Sequence, residues 1–220
     1  MEGTRLRILQ HLQKSVKETV DGLAVAIGLA PATIRRHLDI LQRDRLVAFR
    51  EVRKKTGRPE YSYYLTEAGH ESLPKGYDKL LGMLVHEMSS LTPKDTHALD
   101  GDDILRLVFR RLSSRVSERY DDELAGRGIA HRLATLMGHL EREAFFPEAE
   151  VAGGSLRIKL LNCPFRSVAL ASNTVCTFDL NLIGSILDVD ITRQQCIHDG
   201  DTGCMYTADL GEKQVAALSS

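Results

Sequence analysis

Four cysteines, Cys163, Cys176, Cys196 and Cys204, are the residues of this 220-residue chain best suited to chemistry, and all four lie in its last third. Thiolates are soft donors that bind zinc and iron–sulfur clusters, and a pair of them can be oxidised to a disulfide. The spacing is C-x12-C-x19-C-x7-C. It holds no C-x-x-C, so it fits neither a zinc ribbon nor a bacterial-ferredoxin run, and the fold must bring the ligands together. In a reducing cytosol such thiols serve as metal or cluster ligands or as a redox switch, rather than as structural disulfides. Incidental core thiols would be scattered along the chain, so their clustering is informative. His198, Asp199 and Asp201 fall between the last two cysteines. They belong to a run rich in Asp and Gly, which reads as a turn rather than as ligands. No paired-carboxylate, Ser-His-Asp or phosphate-loop pattern appears, so the chain is not read as an enzyme.

The elements around the cysteines decide whether they can meet. Leu156–Leu161 reads as a strand that leads into Asn162-Cys163-Pro164-Phe165. Cys176 opens a helix over Thr177–Leu187, where the dipole favours a thiolate. Val189–Gln195 reads as a strand ending at Cys196, and Met205–Leu210 as a strand opening at Cys204. Strand ends and a helix start can converge at one edge of a small sheet. Residues 151–220 are therefore expected to form a small α+β sensor domain with an antiparallel sheet.

The other end of the chain carries a different signal. Residues 1–70 hold 13 Lys/Arg against 8 Asp/Glu, whereas residues 71–220 hold 16 against 22, so the net charge of −1 hides a basic head on an acidic body. A basic head suits a polyanion. Leu6, Ile8, Leu9 and Leu12 form one helical stripe; Thr19 can cap a second helix through Ile27; Gly28-Leu29-Ala30 makes a tight turn; Pro31 opens a third helix. Two β-rich arms, Val47–Arg53 and Tyr61–Leu65, then flank a basic loop. Three helices followed by a hairpin is the order of a winged helix-turn-helix, expected over residues 1–72. Its third helix would present Thr33, Arg35, Arg36 and His37 to the major groove. Its wing would set Arg50, Arg53, Lys54, Lys55 and Arg58 against phosphates.

Residues 73–150 read as a helical linker and dimerisation region, with helices at 75–91, 102–121 and 128–146 and a break from Pro147 to Gly154. Leu80, Leu84, Met88 and Leu91 form an apolar stripe that is expected to pair two copies. A homodimer suits double-stranded DNA with a palindromic operator, one half-site per recognition helix. The N-terminus MEGTRLRILQHLQK has no signal-peptide core, and no apolar run approaches the roughly 18 residues of a membrane span. The expected location is the cytoplasm. The overall fold class is α+β.

The stretches LAVAIGLAPATIRRHLDILQRDRLV and GRPEYSYYLTEAG resemble the helix-turn-helix heads of bacterial regulators, departing at Arg45, where Gly is common. Across its whole length the chain resembles the SufR-type iron–sulfur repressors. The residues that carry this are Asn162-Cys163-Pro164-Phe165, Cys176, and Gly200-Asp201-Thr202-Gly203-Cys204-Met205-Tyr206. The resemblance implies that Cys163, Cys176 and Cys204 hold an iron–sulfur cluster, [4Fe–4S] foremost, in a repressor of iron–sulfur assembly genes. Some members carry a further cysteine near position 190. This chain has Asp190 there and Cys196 further on, so the fourth ligand stays open. CIHDGDTGCMY also resembles the vinyl-reductase-type ligand-binding domain, where C-x7-C can hold zinc. Zinc with an organic effector, and a metal-free thiol switch through Cys196 and Cys204, therefore remain as alternatives. A cluster-carrying redox protein with a vestigial head is disfavoured by the basic wing.

Overall fold

A computed structural model describes residues 3–52 and 60–219. The chain forms two compact units, Met1–Lys75 and Gly76–Ser220.

In the first unit the order is α1 (Thr4–Ser15), β1 (Glu18–Thr19), α2 (Val20–Ile27), α3 (Pro31–Arg43), β2 (Val47–Val52), β3 (Glu60–Leu65) and α4 (Glu67–Glu71). The caps are those the sequence leads one to expect. The Thr19 hydroxyl accepts from the Gly22 N–H at 3.1 Å, and Gly28 ends α2 at φ 76°, a left-handed conformation open to glycine at little cost. Ile8, Leu9, Leu12, Leu23, Ile34, Leu38 and Leu41 come together in the core, which uses up the apolar stripes of all three helices. The hairpin β2–β3 is antiparallel, with Phe49 opposite Tyr63, and β1 adds a third strand in the order β1-β3-β2. A two-residue strand has no periodicity to read, and β1 was not expected. Gly69 packs α4 under this sheet: a Cβ there would stand 2.0 Å from the Leu46 carbonyl oxygen.

The second unit runs α5 (Tyr77–Ser89), α6 (Pro93–Thr96), α7 (Gly101–Ser117), α8 (Asp121–Leu124), α9 (Ile129–Arg142), β4 (Pro147–Ala152), β5 (Ser155–Leu160), α10 (Arg166–Ala171), α11 (Cys176–Leu187), β6 (Thr192–Gln195), β7 (Cys204–Asp209) and α12 (Glu212–Ser219). Its antiparallel sheet has the order β4-β5-β7-β6. The expected break from Pro147 to Gly154 is instead the edge strand β4 and a tight turn. Gly153 and Gly154 sit at φ 61° and 80°, as a two-residue hairpin turn requires. Proline is tolerated at the first residue of an edge strand, and the polar run Glu148-Ala149-Glu150 hid the strand from an apolar pattern. The boundary expected near residue 150 falls within β4, and one hydrophobic core joins the helices to the sheet through Leu80, Val108, Leu136, Ile158, Leu182 and Tyr206.

Most of the stripe expected to pair two copies belongs to that core. Leu80 is buried, and Leu84 and Leu91 pack against the core, whereas Met88 is exposed. The apolar residues that α5 leaves in solvent are Leu81, Val85 and Met88, at 62%, 58% and 56% exposure. α5 is fixed to α7 by Glu87, whose side chain is fully buried. Its carboxylate accepts from Arg115 Nε at 2.6 Å and lies 3.6 Å from Arg111. Among the described residues no helix is long and apolar enough to cross a membrane.

Candidate functional site

The four thiols arrive from four separate places. Cys163 lies in the loop between β5 and α10, Cys176 is the first residue of α11, Cys196 follows β6, and Cys204 opens β7 opposite Leu160. All four are buried and unoxidised. Cys176 and Cys196 approach to 3.8 Å between sulfurs. The other two join this neighbourhood in sequence: Cys204 acts on Cys176 and feels Cys196, and Cys163 acts on Cys204. Burial pushes the Cys176 and Cys204 thiols well above the usual thiol range. The Asp179 carboxylate and the other thiols add to this, while an N–H of Ile197 directed at Cys204 works the other way. These are proton-bearing, inert thiols unless a cation displaces the proton. Among the described residues, no three Cys, His, Asp or Glu side chains already stand close enough to hold a single metal ion.

The local architecture explains the sequence around each thiol. Asn162 is buried before Cys163. Its backbone N–H donates to the Phe145 carbonyl at 2.9 Å, and its side-chain amide donates to the Ala144 carbonyl at 2.7 Å. These bonds hold a tight corner in which Ala144 and Phe146 both take left-handed φ, 61° and 52°. The Pro164 carbonyl accepts from the Gly76 N–H at 3.1 Å. Gly203 lets the chain pass close to β5 before Cys204, because a Cβ there would lie 2.8 Å from the Leu160 carbonyl oxygen. The Asp201 carboxylate accepts from the Cys196 N–H at 2.9 Å and Gly200 closes the turn at φ 95°, so Asp201 is a turn residue. His198 Nδ1 is 2.8 Å from the Ala169 carbonyl, which ties the turn to α10. Asp199 is exposed. Asp190 is also exposed, and it lines an open recess with Arg110, Asp188 and Asn181.

Two buried polar side chains beside the thiols escaped the reading of the sequence. Asp179 lies three residues after Cys176, on the same face of α11, and its Oδ1 has no hydrogen-bond partner. Burial raises its carboxyl to about 7, against the pull of Arg193 on β6. Tyr206 is fully buried with an unpartnered hydroxyl, and burial followed by Asp179, Cys204 and Cys176 pushes that phenol up. The available signal was the lone acid in the largely apolar helix TFDLNLIGSIL.

In the first unit, α3 exposes Thr33, Arg35 and Arg36, while Ile34, Leu38 and Leu41 face the core. His37 is half-buried, and its Nδ1 has no partner. With Arg5 of α1, the residues Ala32, Thr33, Arg36, His37 and Ile40 line a shallow recess of about 490 Å³. Arg5 is an addition to the expected set, brought there by the packing of α1. On the wing, the Arg50 guanidinium lies 5.1 Å from the centre of the Tyr64 ring, and Phe49 and Tyr61 meet edge to face at 4.8 Å while both remain exposed. Arg53, Lys54, Lys55 and Arg58, expected at the wing tip, lie outside the described residues.

A three-helix head with an exposed basic third helix and a β-hairpin is a winged helix-turn-helix, the DNA-binding module of transcription regulators. Residues 2–48 match the family described as bacterial regulatory protein, arsR family, a match that ends in β2. The chain is similar to a solved structure described as Bacillus subtilis PadR in complex with operator DNA. The identity is 18%, over 63% of this chain and 90% of that one, with a TM-score of 0.30. No curated protein matches it.

Proposed function

We propose that the chain is a transcription regulator that binds a palindromic operator as a homodimer and senses iron or redox state through a cysteine-ligated iron–sulfur cluster. The observation that carries the sensing half is the gathering of all four cysteines, from four separate segments, into one buried neighbourhood. Soft sulfur stabilises iron and tolerates its redox changes. The donor set and the unpartnered Asp179 and Tyr206 atoms fit a bound group that would take up lone pairs now left bare. Cys163, Cys176 and Cys204 would hold it, with Cys196 in reach. The cluster, when bound, would supply an oxygen- and iron-sensitive crosslink between a loop, a helix start and a strand end. The resemblance to SufR-type repressors points to iron–sulfur assembly genes as the targets.

Thr33, Arg35, Arg36, His37 and Arg5, with Arg50 of the wing, are described groups that would meet base edges and phosphates. Leu81, Val85 and Met88 are the face by which two copies would pair. Zinc is the second reading, favoured by one distance. Two thiolates on one tetrahedral zinc stand about 3.8 Å apart, given Zn–S of about 2.3 Å, and the Cys176–Cys196 pair is at 3.8 Å. Anaerobic purification followed by iron, sulfide and zinc assay separates the two readings. A brown protein with matched iron and sulfide, whose operator shift is lost on Cys163→Ser, Cys176→Ser or Cys204→Ser, is the expected result. Stoichiometric zinc without sulfide would refute it.

A further inference from the structure

The cysteine centre contains one acid that the thiols alone do not require. Asp179 is at most 5% exposed, lies one helical turn after Cys176, and leaves Oδ1 with no donor. Burying a carboxyl costs several kcal/mol unless a hydrogen bond or a cation compensates it. Among the described residues Arg193 is the cation whose charge acts on it. Among the described residues the two form no ion pair, so its attraction is exerted from a distance. An acid kept at such a cost, with a bare oxygen whose charge reaches Cys176 and Cys204, has the properties of a metal ligand awaiting its cation.

The thiols give the second half of the argument. Cys176 and Cys196 are 3.8 Å apart. In a cubane each thiolate serves its own iron, and the sulfurs spread wider than two donors on one metal. Cys176 and Cys196 at this separation do not both fill separate corners. Asp179, by contrast, is spaced three residues from Cys176, as two ligands projecting from one helix face would be.

Resting on the iron–sulfur reading above, we propose that Asp179 is the fourth ligand of the centre, its carboxylate oxygen completing the set Cys163, Cys176 and Cys204, with Cys196 left as an unligated thiol beside Cys176. Iron is a borderline acid and accepts oxygen as well as sulfur donors. An oxygen-held iron is the corner most easily lost, which places the lability of the sensor at one residue. Arg193 and the Tyr206 hydroxyl then lie around the bound carboxylate as the groups that orient it.

The test uses the full chain, reconstituted anaerobically with sulfide and Mössbauer-active iron. The wild-type spectrum is expected to show one iron subsite set apart by an oxygen ligand. Cys196→Ser should leave that spectrum unchanged. Asp179→Cys should abolish the distinct subsite and leave all irons in thiolate surroundings. The assignment is overturned if the wild-type irons are all thiolate-ligated, if Asp179→Cys retains the distinct subsite, or if Cys196→Ser loses the cluster. Where Asp179→Cys does not fold, as far-UV circular dichroism would report, the wild-type and Cys196→Ser spectra decide. Failure of the iron–sulfur reading itself is seen separately, as wild-type protein that takes up no iron and sulfide, and it overturns both.

Discussion

Asn162→Ala should unfold the cysteine-bearing unit more readily and empty its centre. The side-chain amide of Asn162 donates to the Ala144 carbonyl at 2.7 Å; Asn162 is buried and Ala144 half-buried. Deleting one partner leaves the half-buried carbonyl without its donor, which costs about 1–2 kcal/mol. The corner it supports holds two non-glycine residues at positive φ. Such conformations cost on the order of 1–3 kcal/mol each and persist only where the surroundings enforce them. Relaxation of the corner would recover part of that strain, so the net loss is expected near 1–1.5 kcal/mol, or roughly 3–5 °C in Tm for a unit of this size. Cys163 is the next residue, so iron and sulfide content after anaerobic reconstitution should fall together with stability. Ala144→Gly removes the steric cost at φ 61° and should raise stability by about 0.5–1 kcal/mol, recovering part of the Asn162→Ala loss. Urea unfolding of the four proteins, the two singles, the double and the wild type, measures this. A change below about 0.5 kcal/mol on Asn162→Ala would refute the idea that this clamp holds the cysteine loop.

Arg36→Ala should cost about 1–3 kcal/mol in binding a specific duplex, with a smaller effect on random DNA, as read by salt-controlled titrations. Arg45→Gly should stabilise the head by roughly 0.5–1 kcal/mol in thermal unfolding, because Arg45 sits at φ 59°. Glu87→Ala should destabilise the second unit by about 2–3 kcal/mol. That is below the usual cost of breaking a buried pair because Arg111 and Arg115 are partly exposed and regain water. His139 is held neutral, chiefly by burial, with Lys79, Arg142 and Arg119 also disfavouring its cation and only Glu143 opposing them. Its folded pKa is thus lowered, so its contribution is present above the unfolded value near 6.5 and is lost as pH falls through the folded value. His139→Phe should flatten that part of the stability–pH curve.

The head was legible because every local signal agreed with the fold. Thr19 caps, Gly28 turns, Pro31 starts a helix, and the apolar stripes of α1, α2 and α3 all point inwards. Arg45 was noticed as a departure from glycine, and its φ of 59° gives the reason: the chain leaves α3 in a left-handed conformation, which the Thr66 hydroxyl helps to hold by donating to the Arg45 carbonyl at 2.6 Å. The positions of the four cysteines relative to strand and helix ends were legible for the same reason. What could not be read were elements whose identity depends on a distant partner. β4 is polar and becomes a strand only because β5 offers its edge. Leu80 and Leu84 look like interface residues until α7 and the sheet enclose them, and the exposed positions are then Leu81, Val85 and Met88.

The same limit governs the cysteine centre. Spacing along the chain showed which thiols could converge, but which groups lie between them depends on packing across three elements. A periodic reading of α11 counts Phe178, Leu182, Ile183 and Ile186 as core and passes over Asp179 as one of its few polar residues. Once the helix is laid against β6 and β7, that acid shares its surroundings with Cys176, Cys204, Tyr206 and Arg193, and its bare oxygen becomes the feature that needs a cause. The thiol pair changes in the same way. The short C-x7-C spacing draws attention to Cys196 and Cys204, whereas the folded chain brings Cys196 to Cys176 across 20 positions. A disulfide formed on forced oxidation of metal-free protein, slow because the Cys176 thiol keeps its proton, should therefore join Cys176 to Cys196. Peptide mapping of oxidised wild-type protein, with Cys204→Ser as a control that retains the bond, checks this. A Cys196–Cys204 bond instead would show that the approach of α11 to the end of β6 is not kept in solution.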